Sequence, residues 1–191
     1  MAIILGSQSP RRRELLEKLD LPFTILTADI DETVRPELTP GQAVADISAR
    51  KAAAILRQAS EDDLVITADT IVVLDGKIMG KPHSPEEAEQ MLSSLSGRTH
   101  QVYTAVTLHS HARQKTEVAC TQVTFRPLDP TEIRAYIASG EPMDKAGAYG
   151  IQGRGAVLVS HLEGDYFNVM GLPLCTLCQM LRSFGVKILG V

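Results

Sequence analysis

The chain has 191 residues, a length that suits one domain or two small lobes sharing a core. Hydrophobic residues make up 44% and charged residues 22%, which is ordinary for a globular protein. The formal net charge of −4 argues against nucleic-acid binding, although positive charge gathered at one site still allows a small anionic ligand.

The apolar segments and the cysteines both point away from a membrane or secreted protein. No apolar stretch approaches the roughly 18 residues that a membrane span needs. Near the N-terminus the positive charges follow the short apolar run, the reverse of a secretory signal. Cys120, Cys175 and Cys178 are an odd, small set without a disulfide framework. We therefore expect a cytoplasmic protein.

The first half of the chain alternates apolar runs with helical patterns. Ser9 and Pro10 have the chemistry of an N-cap followed by a first helical residue, and Thr39 and Pro40 repeat it. Asp75–Gly76 is a hairpin turn signal. In chain order we predict a strand over 2–5, a helix from Pro10, a strand over 23–26, a loop over 29–40, a helix from Pro40, and strands over 64–66 and 71–74.

The second half mixes helices with a long hairpin. Asp129 or Thr131 is the expected cap of a helix that ends near Ile137. The other predicted elements are a helix over 85–95, hairpin strands over 99–108 and 117–125, a strand over 156–162 and a helix over about 174–184. We expect one α/β domain over residues 1–191, with a mixed twisted sheet and flanking helices.

Gly6–Arg13 is the first segment with the chemistry of a site. Acidic residues are favoured in the first turn of a helix, yet arginines occupy it here. An anion would resolve that conflict, because the Ser7 and Ser9 hydroxyls, free backbone N–H groups and two of the arginines would surround a phosphate. The alternative is a capped helix whose arginines are merely solvated.

Two acidic segments follow. Asp31 and Glu32 lie in a polar loop, where acidic residues are usually just solvated. Asp69 lies between apolar runs, and a buried Asp is disfavoured unless it is paired, bound to metal or catalytic. The functional interpretation of Asp69 is a metal ligand or general base, and the alternative is a turn cap.

Two further segments suit a nucleotide. Lys81, between Gly80 and Pro82, is well placed to meet a phosphate. Asp144–Gly153 is rich in small residues, so a planar ligand can approach its backbone, and Gln152 offers both a donor and an acceptor.

Taken together, these segments resemble the Maf family of nucleotide pyrophosphatases. The resemblance covers nearly the whole chain in the family's order and rests on Ser7–Arg12, Asp31–Glu32, Ala68–Thr70, Gly80–Pro82, Asp144–Gly153 and Gly171–Pro173. It implies a mixed α/β fold with a deep central cleft, often as a homodimer. It also implies hydrolysis of a nucleoside triphosphate to the monophosphate and pyrophosphate, a house-cleaning role against non-standard nucleotides, and a divalent metal such as Mg²⁺ or Mn²⁺.

The resemblance also assigns roles. Asp69 is the implied proton acceptor, and Glu32, Lys51 and Lys81 are the other polar residues of the reaction centre. Glu32 and Asp69 are the implied metal ligands. Lys51 follows from the resemblance alone, because a lysine at this point of the helix otherwise predicts a solvent-exposed residue.

The same resemblance separates two substrate branches, one that prefers dTTP and UTP and one that prefers 7-methyl-GTP. Arg11, Thr70 and Gln152 match the first branch, whereas Trp, Gln and Glu are typical of the second. An amide complements the N–H and carbonyl groups of uracil, whereas a carboxylate suits the two neighbouring donors of guanine. Arg11 would also repel the positive charge of 7-methylguanine, which a Trp face would attract.

Alternatives from other classes remain open. A non-catalytic nucleotide sensor that regulates cell division would keep the arginines without needing Asp69 and Glu32. A hydrolase for inosine-type triphosphates is a second alternative. For Cys175 and Cys178 we favour packing in the core of a late helix over a zinc site, since zinc needs further ligands.

Overall fold

The computed structural model describes residues 2–190. Its strands are β1 (Ile3–Leu5), β2 (Phe23–Ile25), β3 (Leu64–Leu74), β4 (Lys77–Met79), β5 (Thr99–His109), β6 (Gln114–Phe125) and β7 (Val159–Glu163). They follow the order β2-β1-β3-β5-β6-β7, with β4 paired to β3. The β1 strand is parallel to β2 and β3, whereas the β3–β4 and β6–β7 pairs are antiparallel. The predicted mixed α/β sheet is therefore confirmed.

The helices are α1 (Pro10–Glu17), α2 (Pro40–Leu56), α3 (Pro85–Leu95), α4 (Pro130–Ala138), α5 (Tyr166–Met170) and α6 (Leu174–Ser183). The first four each begin at a proline, whose fixed φ and missing N–H suit the first helical turn. Thr39 and Gln42 form a capping box at α2, and Asp129 accepts a hydrogen bond from the Thr131 amide at α4. Ser9 occupies the N-cap position of α1 but makes no side-chain capping bond.

Two compact units make up the chain. The first contains the residues up to Asp69, Thr104–Ala119 and the residues from Gly171 onward. One of its apolar clusters consists of Ile4, Ala52, Ile55, Leu56 and Val65, which come from β1, α2 and β3. The single domain over residues 1–191 and its cleft stay predictions.

The second unit contains Thr70–Tyr103 and Cys120–Met170. Its core gathers apolar side chains of α3 and α4 with Phe125 and Tyr149. Within the described residues, none of the helices combines the length and apolar character that crossing a membrane requires.

Two local predictions were wrong in detail. Residues 64–66 and 71–74 belong to one continuous strand, because the intervening Thr67–Thr70 segment is extended and buried or half-buried despite its polar side chains. Of residues 156–162, the first part lies in a 3-10 helix, Gly153–Leu158, and the strand begins only at Val159. Val159 is where pairing with β6 starts, opposite Phe125. The short 3-10 helices Glu141–Asp144 and Ala146–Ala148, and α5, were not predicted.

Candidate active site

Lys51 bridges two of the acidic residues predicted from the sequence, Glu32 and Asp69. Its Nζ lies 2.8 Å from Asp69 Oδ1 and 2.9 Å from Glu32 Oε1. The Lys51 and Asp69 side chains are largely enclosed, with exposed fractions of 16% and 12%, whereas Glu32 is 59% exposed. One ammonium group therefore holds a shielded carboxylate and an open one side by side, which places negative charge where water and a cation can reach it.

The meeting of Lys51 and Asp69 depends on the register between α2 and β3. Thr67 Oγ1 donates to the Ser48 carbonyl at 2.8 Å, and Ser48 Oγ donates to the Thr67 carbonyl at 3.4 Å. Lys51 lies one helical turn after Ser48, and Asp69 lies two residues after Thr67 on the same face of the strand. The two hydrogen bonds between Ser48 and Thr67 therefore also set the positions at which Lys51 and Asp69 face each other.

The loop that carries Glu32 is held by Arg50, the neighbour of Lys51 on α2. The guanidinium of Arg50 donates to the carbonyl of Asp31, and its Nη2 donates to that of Thr33 at 3.1 Å. Asp46 accepts from Arg50 Nε at 2.8 Å and so orients the guanidinium. The backbone on both sides of Glu32 is thereby fixed to the helix that presents Lys51.

The side chain of Asp31 stabilises the same loop from within. Its Oδ1 accepts from both the hydroxyl and the amide of Thr33, the amide at 2.9 Å. The hydroxyl bond is the main cause that lowers the pKa of Asp31, followed by the amide bond. Asp31 is therefore a loop-forming residue, and Glu32 is the one that reaches Lys51.

Arg12 points inward from the first turn of α1. Its Nε donates to the Gly171 carbonyl at 2.8 Å, and its Nη1 donates to Ser7 Oγ at 3.5 Å. Burial lowers the pKa of Arg12, while the negative charges of Asp69 and Glu32 act in the opposite direction. A guanidinium remains charged in proteins, so Arg12 brings a fixed positive charge into the field of both carboxylates.

Ser7 joins this cluster through its side chain. Its hydroxyl oxygen accepts from Arg12 and from the Ser9 amide at 3.2 Å, and neither bond consumes its proton. The turn is tight at Gly6, where an added Cβ would lie 2.3 Å from Ile55 Cδ1 and 2.7 Å from Thr67 Cγ2. Glycine therefore brings the turn close to α2 and β3.

The other residues of the Gly6–Arg13 segment have different surroundings. Arg13 forms an exposed ion pair with Glu17 at 2.9 Å, so it does not join Arg12. Arg11 and Ser9 are half-buried at the start of α1. Ser7 and Arg12 are joined by a direct side-chain hydrogen bond.

Three other predicted residues lie in the second unit. Thr70 and Gln152 are half-buried and Lys81 is exposed. The segments of Lys81 and Gln152 are joined, because the Gly147 amide donates to the Gly80 carbonyl at 3.0 Å. Gly147 has φ +69°, and an added Cβ would lie 2.9 Å from Val72, so this approach also needs glycine.

The fit of a divalent metal rests on Glu32 and Asp69. Among the described residues there is no group of three or more His, Cys, Asp or Glu side chains arranged for a metal ion. Mg²⁺, however, is usually held by one or two carboxylates together with substrate phosphates. These two carboxylates fit that mode, in which the polyphosphate completes the coordination.

The two late cysteines correct an earlier expectation. Cys175 is exposed and Cys178 is half-buried. Core packing was therefore the wrong prediction for Cys175.

Lys51 is the site residue that the local sequence pattern did not reveal. The buried face of α2 includes Val44, Ser48 and Ile55. Lys51 falls on the same stripe, three residues after Ser48 and four before Ile55. A lysine on an otherwise buried stripe was the available signal, because such a charge needs a partner.

Comparisons with known proteins agree on one family. The family model described as Maf-like protein matches residues 2–184. A Moorella thermoacetica protein named dTTP/UTP pyrophosphatase is 53% identical over 190 residues, covering 98% of this chain and 97% of that protein. Relatives of the same name from Pelotomaculum thermopropionicum and Bacillus velezensis are 52% and 48% identical, each over at least 97% of both chains.

A solved structure supports the architecture. The Staphylococcus aureus Ham1 protein superimposes with a TM-score of 0.52, at 14% sequence identity, over 83% of this chain and 80% of that one. At this identity the likeness concerns the fold alone, and it agrees with the mixed sheet and flanking helices.

Proposed function

Because the chain belongs to the Maf-like protein family, we propose that it is a nucleotide pyrophosphatase. Its substrates are dTTP, UTP and modified pyrimidine nucleoside triphosphates, which it hydrolyses to the monophosphate and pyrophosphate. The observation that carries the proposal is the Lys51 bridge, which holds the Asp69 and Glu32 carboxylates side by side, as the proposed hydrolysis requires. The relatives named dTTP/UTP pyrophosphatase support the substrate class.

In the proposed reaction, water attacks the α-phosphorus and pyrophosphate leaves. Asp69 accepts the proton of the attacking water, because it is the shielded carboxylate of the pair. Lys51 keeps a positive charge beside Asp69 and helps to offset charge on the triphosphate. Arg12 and the Ser7 hydroxyl bind phosphate oxygens, for which a fixed cation and a free proton are suited.

We propose Glu32 and Asp69 as the ligands of Mg²⁺ or Mn²⁺. The exposure of Glu32 and the oxygen donors of both residues support this assignment. When bound, the ion supplies charge neutralisation on the phosphate oxygens.

Base recognition is assigned to Arg11, Thr70 and Gln152, and Lys81 is assigned to the phosphates. The support is the match of the first three to the pyrimidine branch and the joined backbone of the Lys81 and Gln152 segments. A hydrogen-bonding site rejects a base that leaves its polar groups unpaired. A 7-methyl-GTP pyrophosphatase is the alternative that this assignment disfavours.

A nucleotide panel tests the proposal. Pyrophosphate release is measured for dTTP, UTP, 5-methyl-UTP, 7-methyl-GTP and ITP, with and without Mg²⁺. Hydrolysis in oxygen-18 water should place the label on the monophosphate, as attack at the α-phosphorus requires. Nucleotide binding without any turnover would favour a sensor, and label on pyrophosphate would mean attack at the β-phosphorus.

The proposal includes a cytoplasmic homodimer with a house-cleaning role and no nucleic-acid partner. The free cysteines Cys120, Cys175 and Cys178 suit a reducing compartment, and the net charge of −4 argues against nucleic acid. The homodimer and the house-cleaning role follow from the resemblance to the Maf family. Light scattering coupled to size exclusion measures the assembly, and a mass of about 21 kDa, near the 20.7 kDa of one chain, would contradict the dimer.

A further inference from the structure

The carboxylate of Glu141 lies inside the segment that carries Gln152. Glu141 begins the 3-10 helix Glu141–Asp144 in the second unit. Its Oε2 accepts from the Arg154 amide at 3.0 Å, and its Oε1 accepts from the Gly155 amide at 3.0 Å. One carboxylate therefore satisfies two consecutive backbone donors that follow Gln152.

Tyr136 connects the same carboxylate to the residues before Gln152. The Tyr136 hydroxyl donates to Glu141 Oε1 at 3.0 Å and accepts from the Gly150 amide at 3.1 Å. The segment 150–155 is thus tied at both ends to Glu141, directly after Gln152 and through one phenol before it. Such a closed set of bonds leaves the backbone of Gln152 little freedom.

The ionisation states suit these bonds. Burial would raise the pKa of Glu141, but the hydrogen bonds from the Arg154 and Gly155 amides and the Tyr136 hydroxyl, together with the charge of Lys145, lower that pKa overall, so the carboxylate is charged. Burial raises the pKa of Tyr136, so its hydroxyl keeps the proton that it donates. Charged acceptors form the stronger hydrogen bonds to backbone amides.

The glycines of this segment leave room for the carboxylate and the phenol. An added Cβ at Gly155 would lie 2.2 Å from the Gly150 carbonyl oxygen and 2.6 Å from the Tyr136 hydroxyl. At Gly153, where φ is +69°, it would lie 2.8 Å from Glu141 Oε2. A side chain at position 153 or 155 would collide with Glu141, Tyr136 or Gly150. Both positions therefore need glycine for the chain to close around the Glu141 carboxylate.

We propose that Glu141 is a positioning residue for Gln152, acting directly and through Tyr136, and that it thereby sets the selectivity for pyrimidine bases. The inference rests on the proposed function, in which Gln152 reads the base. A side chain that discriminates by hydrogen bonds must be held within about 0.5 Å of its working position. Gln152 is half-buried and has several rotatable bonds, so its placement depends on how firmly its backbone is held.

Two variants weaken the hydrogen bonds around Glu141 with little change of side-chain shape. In Glu141→Gln the amide NH₂ must face a backbone N–H or the Tyr136 hydroxyl, so at least one donor loses its acceptor. Tyr136→Phe removes the hydroxyl that joins Glu141 to the Gly150 amide, but it leaves the bonds of Glu141 to the Arg154 and Gly155 amides in place. The matched control is Glu132→Gln on α4, where the carboxylate pairs with the Arg126 guanidinium instead of the Gln152 segment.

The experiment compares inhibition by the two products. For Glu141→Gln, and more weakly for Tyr136→Phe, we expect the Ki of UMP to rise at least about fivefold, the size of one lost hydrogen bond. The Ki of pyrophosphate should stay unchanged, and the ratio of kcat/KM for UTP over 7-methyl-GTP should fall. Glu132→Gln should match the wild type throughout.

Several outcomes would overturn the inference. In an active wild type, an unchanged Ki for UMP in folded variants removes the positioning role, and equal rises for UMP and pyrophosphate show a general loss of structure. If Glu141→Gln does not fold, Tyr136→Phe decides alone. A wild type that releases no pyrophosphate from any nucleotide contradicts the proposed function instead. Titration calorimetry with UMP then tests the positioning role of Glu141. Equal UMP affinity in the wild type and the variants, or no UMP binding by the wild type, would reject that role.

Discussion

Lys51 Nζ and Asp69 Oδ1 lie 2.8 Å apart, in an ion pair whose two side chains are both largely shielded from water. Removing the negative charge of Asp69 while keeping its shape separates chemistry from folding. For Asp69→Asn we expect kcat to fall by about 10²–10⁴-fold, since the proton acceptor is lost. The fold should persist, because Lys51 still pairs with Glu32.

The control for this variant is Asp62→Asn, an exposed aspartate of the same unit. Steady-state kinetics on UTP and circular dichroism are measured for both. Near-normal kcat in a folded Asp69→Asn protein would reject Asp69 as the proton acceptor.

Metal removal tests the carboxylate pair as a whole. Exhaustive EDTA treatment should abolish pyrophosphate release, and added Mg²⁺ or Mn²⁺ should restore it. Glu32→Gln should raise the Mg²⁺ concentration for half-maximal activity by at least about tenfold, because one of two charged ligands is lost. Glu37→Gln, at an exposed loop position, serves as the control. Full turnover after EDTA would contradict the metal requirement.

Arg50 offers a test of how the Glu32 loop is held. Arg50→Ala removes the donors to the Asp31 and Thr33 carbonyls, so the backbone of the loop loses these bonds to α2 while the Lys51–Glu32 ion pair remains. We expect kcat/KM to fall by about tenfold, corresponding to roughly one lost charge-assisted hydrogen bond. Arg50→Lys should recover only part of this loss, because an ammonium group cannot span two carbonyls as a guanidinium does.

The control for the Arg50 variants is Arg57→Ala at the exposed end of the same helix. Kinetics are combined with thermal unfolding, which should change little, since the Asp46–Arg50 pair lies near the surface. Unaltered kcat/KM in Arg50→Ala would show that the loop keeps Glu32 in place without this contact.

We expect three substitutions to shift the base selectivity from one branch towards the other. The wild type should prefer UTP over 7-methyl-GTP by at least about tenfold in kcat/KM, because one mismatched buried polar contact costs roughly 1–3 kcal/mol. Combining Arg11→Trp, Thr70→Gln and Gln152→Glu should lower that ratio. A wild type that already prefers 7-methyl-GTP would contradict the branch assignment but leave the pyrophosphatase proposal standing.

We expect the stability of the protein to depend on pH through His100. Burial lowers its pKa to about 4 from the usual value near 6.5, and its Nε2 shares a hydrogen bond of 2.7 Å with the Tyr149 hydroxyl. Between these two pKa values the unfolded chain binds the proton and the folded chain does not. Stability is therefore fully present above pH 6.5 and is lost as the pH falls towards 4, by up to about 3 kcal/mol.

Urea unfolding between pH 7.5 and 4 measures this effect. His100→Asn should reduce the pH dependence of the unfolding free energy in that range, even though it also lowers stability at neutral pH. His161→Asn, at an exposed position of β7, should keep the slope of the wild type. Identical slopes in all three proteins would remove His100 as the source.

Many elements were predictable because their signals are local. The prolines and caps of α1 to α4 depend on neighbouring backbone groups, and Thr39 forms the expected capping box. The hairpin at Asp75–Gly76 follows in the same way, since both residues adopt positive φ. The break assigned within β3 was wrong because polar residues such as Thr67 satisfy their hydroxyls through distant partners, which no local pattern shows.

The site divides along the same line. The sequence by itself determined the family, the chemistry-bearing segments and the choice of Asp69, because residue types in a fixed order carry that information. Only the tertiary structure decided that Lys51 joins Glu32 to Asp69, that Arg12 turns inward while Arg13 does not, and that Glu141 closes around the Gln152 segment. Most of these contacts join residues that are separated in the chain, and the neighbours Arg12 and Arg13 point in different directions on one helix. Packing, not local propensity, selects which residues meet.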